Sequence, residues 1–124
     1  MKATAKGKRL EYDLAKSLRE SKLDTTAMRM ARSGAIETLE SDILTQLPIL
    51  IEAKNQETWK PMEYYRQACN GAKTNEIPVV VMKKNNEKPL ALLSWDDFIQ
   101  IMIYAKAGGW TQELQYSKRR QVGK

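Results

Sequence analysis

The stretch that decides the fold is SDILTQLPILIEAK, residues 41–54, which predicts two short apolar strands joined by a turn. The run ILI at residues 49–51 is aliphatic and mostly β-branched, which is typical of a central strand. Because side chains of a strand alternate between its two faces, Glu52 and Lys54 are predicted to point the same way. If the residues between the strands form a tight connection, Asp42 lies near the same edge of the sheet.

Three charged side chains at the end of a buried sheet need an explanation. Two carboxylates and an ammonium group that converge there are costly to bury unless something charged binds to them. A divalent metal ion together with a phosphate group would be such a binding partner. We therefore take a metal-dependent phosphate site as the working hypothesis for the chain.

Length and composition predict one globular domain. The chain has 124 residues, of which 42% are hydrophobic, enough for a single core. No apolar run approaches the roughly 20 residues that cross a bilayer, and the basic N-terminus lacks the apolar segment of a signal peptide. A single cysteine, Cys69, excludes an internal disulfide and is compatible with a reducing compartment. We expect a cytoplasmic protein, in the host cytoplasm if its source is viral.

The sequence contains no histidine, which narrows the possible chemistry. Histidine-based triads, histidine general bases and histidine-containing zinc sites are excluded, and one cysteine cannot build a cysteine-rich zinc site. A metal bound here must be a hard cation with oxygen ligands, such as Mg²⁺ or Mn²⁺.

The charge of the chain is unevenly distributed. The net charge is +6, yet residues 33–63 are acidic and both flanks are basic. Basic flanks attract phosphates and an acidic centre attracts a cation, as a metal-dependent nuclease requires. The alternative is an ordinary basic protein with acidic loops.

The hydrophobic pattern predicts the element order α-β-β-β-α-β-β-α and an α/β fold. We expect a central mixed five-stranded sheet flanked by helices, in one domain over residues 1–124 with flexible basic tails at 1–7 and 107–124. The first predicted helix begins at residue 8, and the second and third cover 61–73 and 95–106. The predicted strands cover 28–32, a segment at Asp42, 49–54, 77–82 and 89–93.

Glu11 lies on or beside the apolar stripe of the first predicted helix. It is either a rim residue with a solvated carboxylate or a third acidic group directed at the site. Several other polar side chains could line a groove for DNA strands, although each could also be an ordinary surface group. These candidates are Lys6, Lys8, Arg9, Arg29, Arg32, Ser33 and Gln56.

The order Glu11, Asp42, Glu52, Lys54 resembles the PD-(D/E)xK nuclease superfamily. Its signature is an acidic residue, a short gap and then Glu-x-Lys on a hairpin. Here it reads Asp42, an intervening segment and Glu52-Ala53-Lys54, with serine in place of the nominal proline before Asp42. The resemblance implies a restriction-endonuclease-like fold and a DNA-cutting activity.

Within that superfamily the chain is most similar to archaeal-type and phage Holliday junction resolvases. Those begin with Lys-Gly and a helix bearing a glutamate, matched by Lys6, Gly7 and Glu11, and continue with an Arg-Ser-Gly element, matched by residues 32–34. The resemblance implies a Mg²⁺-dependent homodimer that makes paired nicks in four-way DNA junctions, since a junction is roughly two-fold symmetric.

The chemistry of the side chains gives each site residue an expected role. Asp42 and Glu52 can supply metal-binding oxygens, with the backbone carbonyl of Ala53 as a further ligand and Glu11 completing the shell directly or through water. Lys54 can neutralise the charge that develops on the phosphate or orient the attacking water. The alternative for Lys54 is a salt bridge that only balances a buried carboxylate.

Two other functions remain open from the sequence. The first is another nuclease of the superfamily, of restriction or repair type, that cuts duplex, nicked or flapped DNA. The second is a non-catalytic basic DNA-binding module in which the charged hairpin is a structural ion-pair cluster.

Overall fold

The computed structural model of the protein describes residues 3–30 and 42–109. Its elements follow the predicted order. They are α1 (Ala3–Glu20), β1 (Met28–Arg29), β2 (Ile43–Leu44), β3 (Ile49–Asn55), α2 (Pro61–Gly71), β4 (Ile77–Lys83), β5 (Leu90–Leu92) and α3 (Trp95–Ala107).

The strands form two sheets, so the α/β class is confirmed and the prediction of one five-stranded sheet is wrong. β1 and β2 form an antiparallel pair, and β3, β4 and β5 form a separate sheet in that order. β3 and β4 are parallel, and β5 is antiparallel to β4. Helix α2 makes the crossover between the two parallel strands, as such a connection requires.

The carboxylate of Asp24 holds the turn that follows β2. It accepts hydrogen bonds from the Thr45 hydroxyl at 2.6 Å and from the Gln46 backbone N–H at 2.7 Å. The backbone just after β2 is therefore bound to a side chain rather than to a neighbouring strand. The two sheets still meet where the Asp42 N–H donates to the Ile51 carbonyl at 2.9 Å.

One face of the three-stranded sheet packs on α2. Leu50 and Val80 are fully buried there against Tyr64 and Ala68. Burial of each such aliphatic side chain stabilises the fold by about 1.5–3 kcal/mol. Leu50 and Glu52 are two residues apart on the same strand, so this core fixes the face to which Glu52 belongs.

The opposite face packs on α1. Ile51 and Val81 form a core cluster with Ala15 of the helix and Ile43 of β2. This cluster joins the two sheets through the helix that covers both. Helix α1 is thereby held beside the strand that carries Glu52 and Lys54.

The inward face of α2 differs from the one that helical spacing predicts. The spacing of Met62, Tyr65, Ala68 and Cys69 predicts that they point inward, but Met62 and Cys69 are exposed and Tyr64 is buried with Ala68. The Tyr64 hydroxyl has hydrogen-bond partners, so this polar group can be buried at little cost.

Helix α1 begins earlier than predicted, whereas α3 ends close to the predicted position. Helix α1 begins at Ala3, so residues 3–7 are helical rather than a flexible tail, in keeping with the high helix propensity of alanine and lysine. At the other end α3 stops at Gly108 and Gly109, where Gly109 has a φ of 92° that favours glycine. The predicted tail beyond residue 109 lies outside the described residues.

Helix α3 begins as its sequence predicts and leaves an apolar surface exposed. The Ser94 hydroxyl caps the helix by accepting a hydrogen bond from the Asp97 backbone N–H at 3.1 Å. Within α3 no residue is buried, and Trp95 and Ile103 expose 70% and 53% of their surfaces. In the part of the chain that the structure describes, no helix is both long and apolar enough to cross a membrane.

Candidate active site

Asp42 lies immediately before β2 and is buried against β3. Its backbone N–H donates to the Ile51 carbonyl, and its Oδ2 accepts a hydrogen bond of 2.7 Å from the Ala53 N–H. Only 5% of Asp42 is exposed. The carboxylate is therefore fixed at the edge of the strand that carries the Glu52-Ala53-Lys54 sequence.

Glu52 is also buried, with 5% of its surface exposed. Its Oε1 lies 3.9 Å from the Lys54 Nζ and accepts a hydrogen bond of 3.3 Å from the Gln67 amide of α2. The sequence reasoning did not identify Gln67. One feature of the sequence could have indicated its role. Gln67 follows Tyr64 by three residues, so both lie on the side of α2 that contacts β3.

Lys54 is held between a carboxylate and an aromatic ring. Its Nζ lies 5.4 Å from the centroid of the Tyr64 ring, within the range of a cation–π interaction. The Tyr64 hydroxyl donates hydrogen bonds to the Gln56 side chain and to the Thr58 carbonyl. Tyr64 is thus a buried support for the lysine rather than a ring exposed for base stacking.

The backbone carbonyl of Ala53 faces the same edge as Asp42. In a strand the N–H and C=O of one residue point to the same side, and the Ala53 N–H points to the Asp42 carboxylate. Asp42 and the Ala53 carbonyl thus share that edge, and Glu52 precedes Ala53 directly. The structure brings together the Asp42, Glu52, Ala53 and Lys54 positions that the sequence predicts.

Glu11 lies on α1 and binds Arg29 of β1. The Arg29 Nε is 3.0 Å from the Glu11 Oε1, and the two side chains are 27% and 18% exposed. Arg29 pairs across the two-stranded sheet with Ile43, the neighbour of Asp42 in the chain. Glu11 is therefore connected to the strand that follows Asp42 through Arg29, which is bound to its carboxylate.

The described residues offer a small set of oxygen ligands for a hard cation. Within residues 3–30 and 42–109, no three or more acidic or cysteine side chains form a group that could hold a metal ion. The oxygens that fit are the buried carboxylates of Asp42 and Glu52 with the carbonyl of Ala53. Two carboxylates with water in the remaining positions is a typical arrangement for Mg²⁺.

The candidate DNA-binding residues are dispersed. The Lys6 Nζ lies 4.0 Å from the Glu57 carboxylate, and the Arg9 Nε lies 3.4 Å from that of Asp13. Lys8 is exposed on the same helix. All three residues lie in the first half of α1 but on different sides of the helix.

Three further candidates have different outcomes. Gln56 is exposed just beyond the end of β3, where its side chain accepts a hydrogen bond from Tyr64, and contact with DNA stays a prediction. Arg32 and Ser33 lie outside the described residues.

The carboxylate of Asp24 accepts four hydrogen bonds. The hydroxyl of Thr26, then that of Thr45, and then two backbone N–H groups donate to its carboxylate and hold its pKa far below the usual range. Asp24 positions the turn between Asp42 and Glu52. The sequence of residues 21–26 predicts only a polar connection there.

Comparison with known proteins identifies the family. The family described as "phage putative PDDEXK endonuclease" matches the chain over residues 2–122. No curated protein and no solved structure matches it. The matched region contains all four residues of the predicted signature, from Glu11 to Lys54. The chain belongs to this family of phage PD-(D/E)xK nucleases.

Proposed function

We propose that the protein is a metal-dependent endonuclease that acts on branched DNA as a Holliday junction resolvase, in the cytoplasm of the host cell. The observation that carries the proposal is the meeting of Asp42, Glu52 and Lys54 around the backbone of Ala53. Membership of a phage endonuclease family supports cutting of DNA. The similarity to resolvases at Lys6-Gly7 and residues 32–34 supports the choice of a junction.

Asp42 and Glu52, with the carbonyl of Ala53, would hold a Mg²⁺ or Mn²⁺ ion. Such an ion, when bound, polarises the scissile phosphate and lowers the pKa of the attacking water. The protein fixes both carboxylates in advance, Asp42 through the Ala53 N–H and Glu52 through the Gln67 amide. Little reorganisation is then needed when the substrate binds.

Lys54 supplies the positive charge of the site. Its ammonium group is placed by Glu52 at 3.9 Å and by the Tyr64 ring, and only 21% of its side chain is exposed. In a partly buried position an ammonium group stabilises negative charge more effectively than in water. We assign it to the phosphate oxygens, whose charge increases in the transition state.

Glu11 acts from outside this group. Its carboxylate binds Arg29, so we assign it to the outer part of the site, where it contacts bound water or fixes Arg29 toward the DNA. A DNA phosphate would compete with Glu11 for the same guanidinium group.

We further propose that the protein is a homodimer that pairs through α3. The stripe Trp95, Ile99 and Ile103 is exposed along one side of the helix, at a spacing of four residues. The first turn carries Asp96 and the last turn carries Lys106. In an antiparallel pair of α3 helices centred on residue 101, Ile99 faces Ile103 of the second copy and Asp96 faces its Lys106. Such a self-complementary contact has the two-fold symmetry of a four-way junction.

One assay tests the proposed function. A synthetic four-way junction, a duplex of the same sequence and the single strands are each incubated with the protein, first in Mg²⁺ and then in Ca²⁺. Paired symmetric nicks near the crossover, in Mg²⁺ and not in Ca²⁺, are expected. Cutting of the duplex at an equal rate would point to another nuclease of the superfamily, and binding without cutting would point to a DNA-binding module.

A further inference from the structure

A cleft of about 530 Å³ lies beside the site, on the other face of the sheet. It opens at the C-terminal ends of the parallel strands β3 and β4, beneath the first turns of α1. Three basic and three amide side chains line most of it. They are Lys6, Arg9, Lys83, Asn55, Asn85 and Asn86.

The strand register separates this cleft from the proposed catalytic residues. Asn55 pairs with Lys83 across the last rung of β3 and β4. Asn55 and Ile51 are four residues apart on β3, so both lie on the face that packs toward α1. Glu52 and Lys54 lie on the opposite face, which packs on α2. The cleft is therefore one residue beyond Lys54 along the strand but faces the other side.

The charges of the cleft favour an anion. Its lining includes three cationic groups and one carboxylate, that of Asp13, which binds Arg9; the Glu57 carboxylate contacts the lining residues Lys6 and Asn85 from outside, so positive charge remains in excess. The Lys6 ammonium lies 4.0 Å from the Glu57 carboxylate. The Lys83 Nζ donates to the backbone carbonyl of Lys84 at 3.1 Å, and this uncharged partner does not neutralise the positive charge of Lys83. Lysine and arginine groups gathered in a concave surface raise the local concentration of phosphate groups.

Asn55 gives a second, independent indication of a ligand. Its Oδ1 is buried and has no hydrogen-bond partner among the described residues. A buried polar atom without a partner destabilises a fold, so such atoms are rare unless a ligand or water satisfies them. Because Oδ1 is buried, the NH₂ group of the same amide is the part that can donate to a phosphate oxygen in the cleft.

We propose that this cleft binds the DNA backbone next to the cut, with Lys83 and Asn55 contacting one phosphate and Lys6 and Arg9 securing the strand. The inference rests on the proposed function, because it takes DNA as the substrate of the neighbouring site. A strand bound at Lys54 reaches the cleft by passing around the same end of β3. The cleft fixes the path of the strand and thus the phosphate that is presented for cutting.

The test measures DNA binding by the full chain in Ca²⁺ over a series of salt concentrations. Lys83→Gln is expected to raise the Kd for the junction about tenfold and to reduce the slope of log Kd against log salt by about one. Asn55→Asp, which adds a negative charge with little change in size, is expected to weaken binding at least as much. Lys88→Gln is the matched control, since Lys88 is exposed in the β4–β5 connection and lies outside the cleft; its Kd and slope should equal those of the unaltered protein.

The outcomes separate the two proposals. If Lys83→Gln and Asn55→Asp keep the unaltered Kd and slope while circular dichroism shows them folded, the cleft does not bind DNA, whether or not the protein cuts junctions. If the slope falls as expected and the unaltered protein cuts no DNA in Mg²⁺, the cleft is supported and the proposed nuclease function fails. Phosphate binding to the cleft can be monitored through the side-chain amide signals of Asn55. If inorganic phosphate saturates the cleft and DNA binding does not change, the inference is also overturned.

Discussion

The Asp42 carboxylate accepts a 2.7 Å hydrogen bond from the backbone N–H of Ala53, the residue between Glu52 and Lys54. This bond fixes the distance between the two halves of the nuclease signature, which are separated in the sequence by a turn. Asp42 is therefore an acceptor for the strand as well as the carboxylate that we propose to bind the metal ion.

Substitution of Asp42 can separate these roles. Asp42→Asn keeps an oxygen that can accept from Ala53 but removes the negative charge, so we expect cutting to fall by at least about 10²-fold with little change in the melting temperature. Asp42→Ala should lose the activity and also about 1–3 kcal/mol of unfolding free energy, because the Ala53 N–H is left without its acceptor. Junction cleavage and urea unfolding of both variants check this. Equal unfolding free energies for the two variants would contradict the structural role.

Gln67 is expected to act by positioning Glu52. Gln67→Leu removes the amide that donates to the Glu52 carboxylate, so the Mg²⁺ concentration needed for half-maximal cutting should rise about 10–100-fold. Asn70→Leu, an exposed change on the same helix, is the control and should leave the Mg²⁺ dependence unaltered. A lower rate at saturating Mg²⁺ with an unchanged Mg²⁺ requirement would argue against this role.

Asp24 should make stability depend on pH in the acidic range. Its pKa is lowered in the folded protein, chiefly by the hydroxyls of Thr26 and Thr45. The stability it contributes is therefore fully present above its ordinary pKa of 3.8 and is lost as the pH falls below that value toward the folded one. We expect the unaltered protein to melt at a higher temperature than Asp24→Asn at pH 7, and the difference to shrink below about pH 4. Thermal unfolding of both proteins across this range is the measurement, and a difference that grows on acidification would refute it.

The α3 helix should control the oligomeric state. Ile103→Asp places a charge in the proposed interface and is expected to convert a dimer to a monomer in light scattering. Tyr104→Ser is the control, because Tyr104 is also exposed but lies on another side of the helix. Exchange of the charges gives a sharper check. Asp96→Lys should weaken the dimer, and adding Lys106→Asp should restore it, whereas an unaltered mass in every variant would exclude α3 as the interface.

Local patterns predicted much of this fold, for identifiable reasons. The two-residue period of a strand places Glu52 and Lys54 on one side, and their 3.9 Å approach agrees with it. The cap at Ser94 and the start of α2 at Pro61 also depend only on residues nearby in the sequence.

The features that the sequence did not reveal depend on long-range contacts. The turn after β2 is held by Asp24, which binds the Thr45 hydroxyl and the Gln46 N–H, and no local pattern links these distant positions. Gln67 resembles any solvated side chain on an exposed helix face until the tertiary fold brings Glu52 within reach.

The position of β3 at the end of its sheet has a consequence for the protein in solution. An edge strand rich in isoleucine and leucine can recruit the strands of other molecules and begin aggregation. Here the outer edge of β3 is met by the backbone and carboxylate of Asp42, which bind Ile51 and Ala53. The residue proposed to hold the catalytic ion therefore also shields this edge of the strand from self-association.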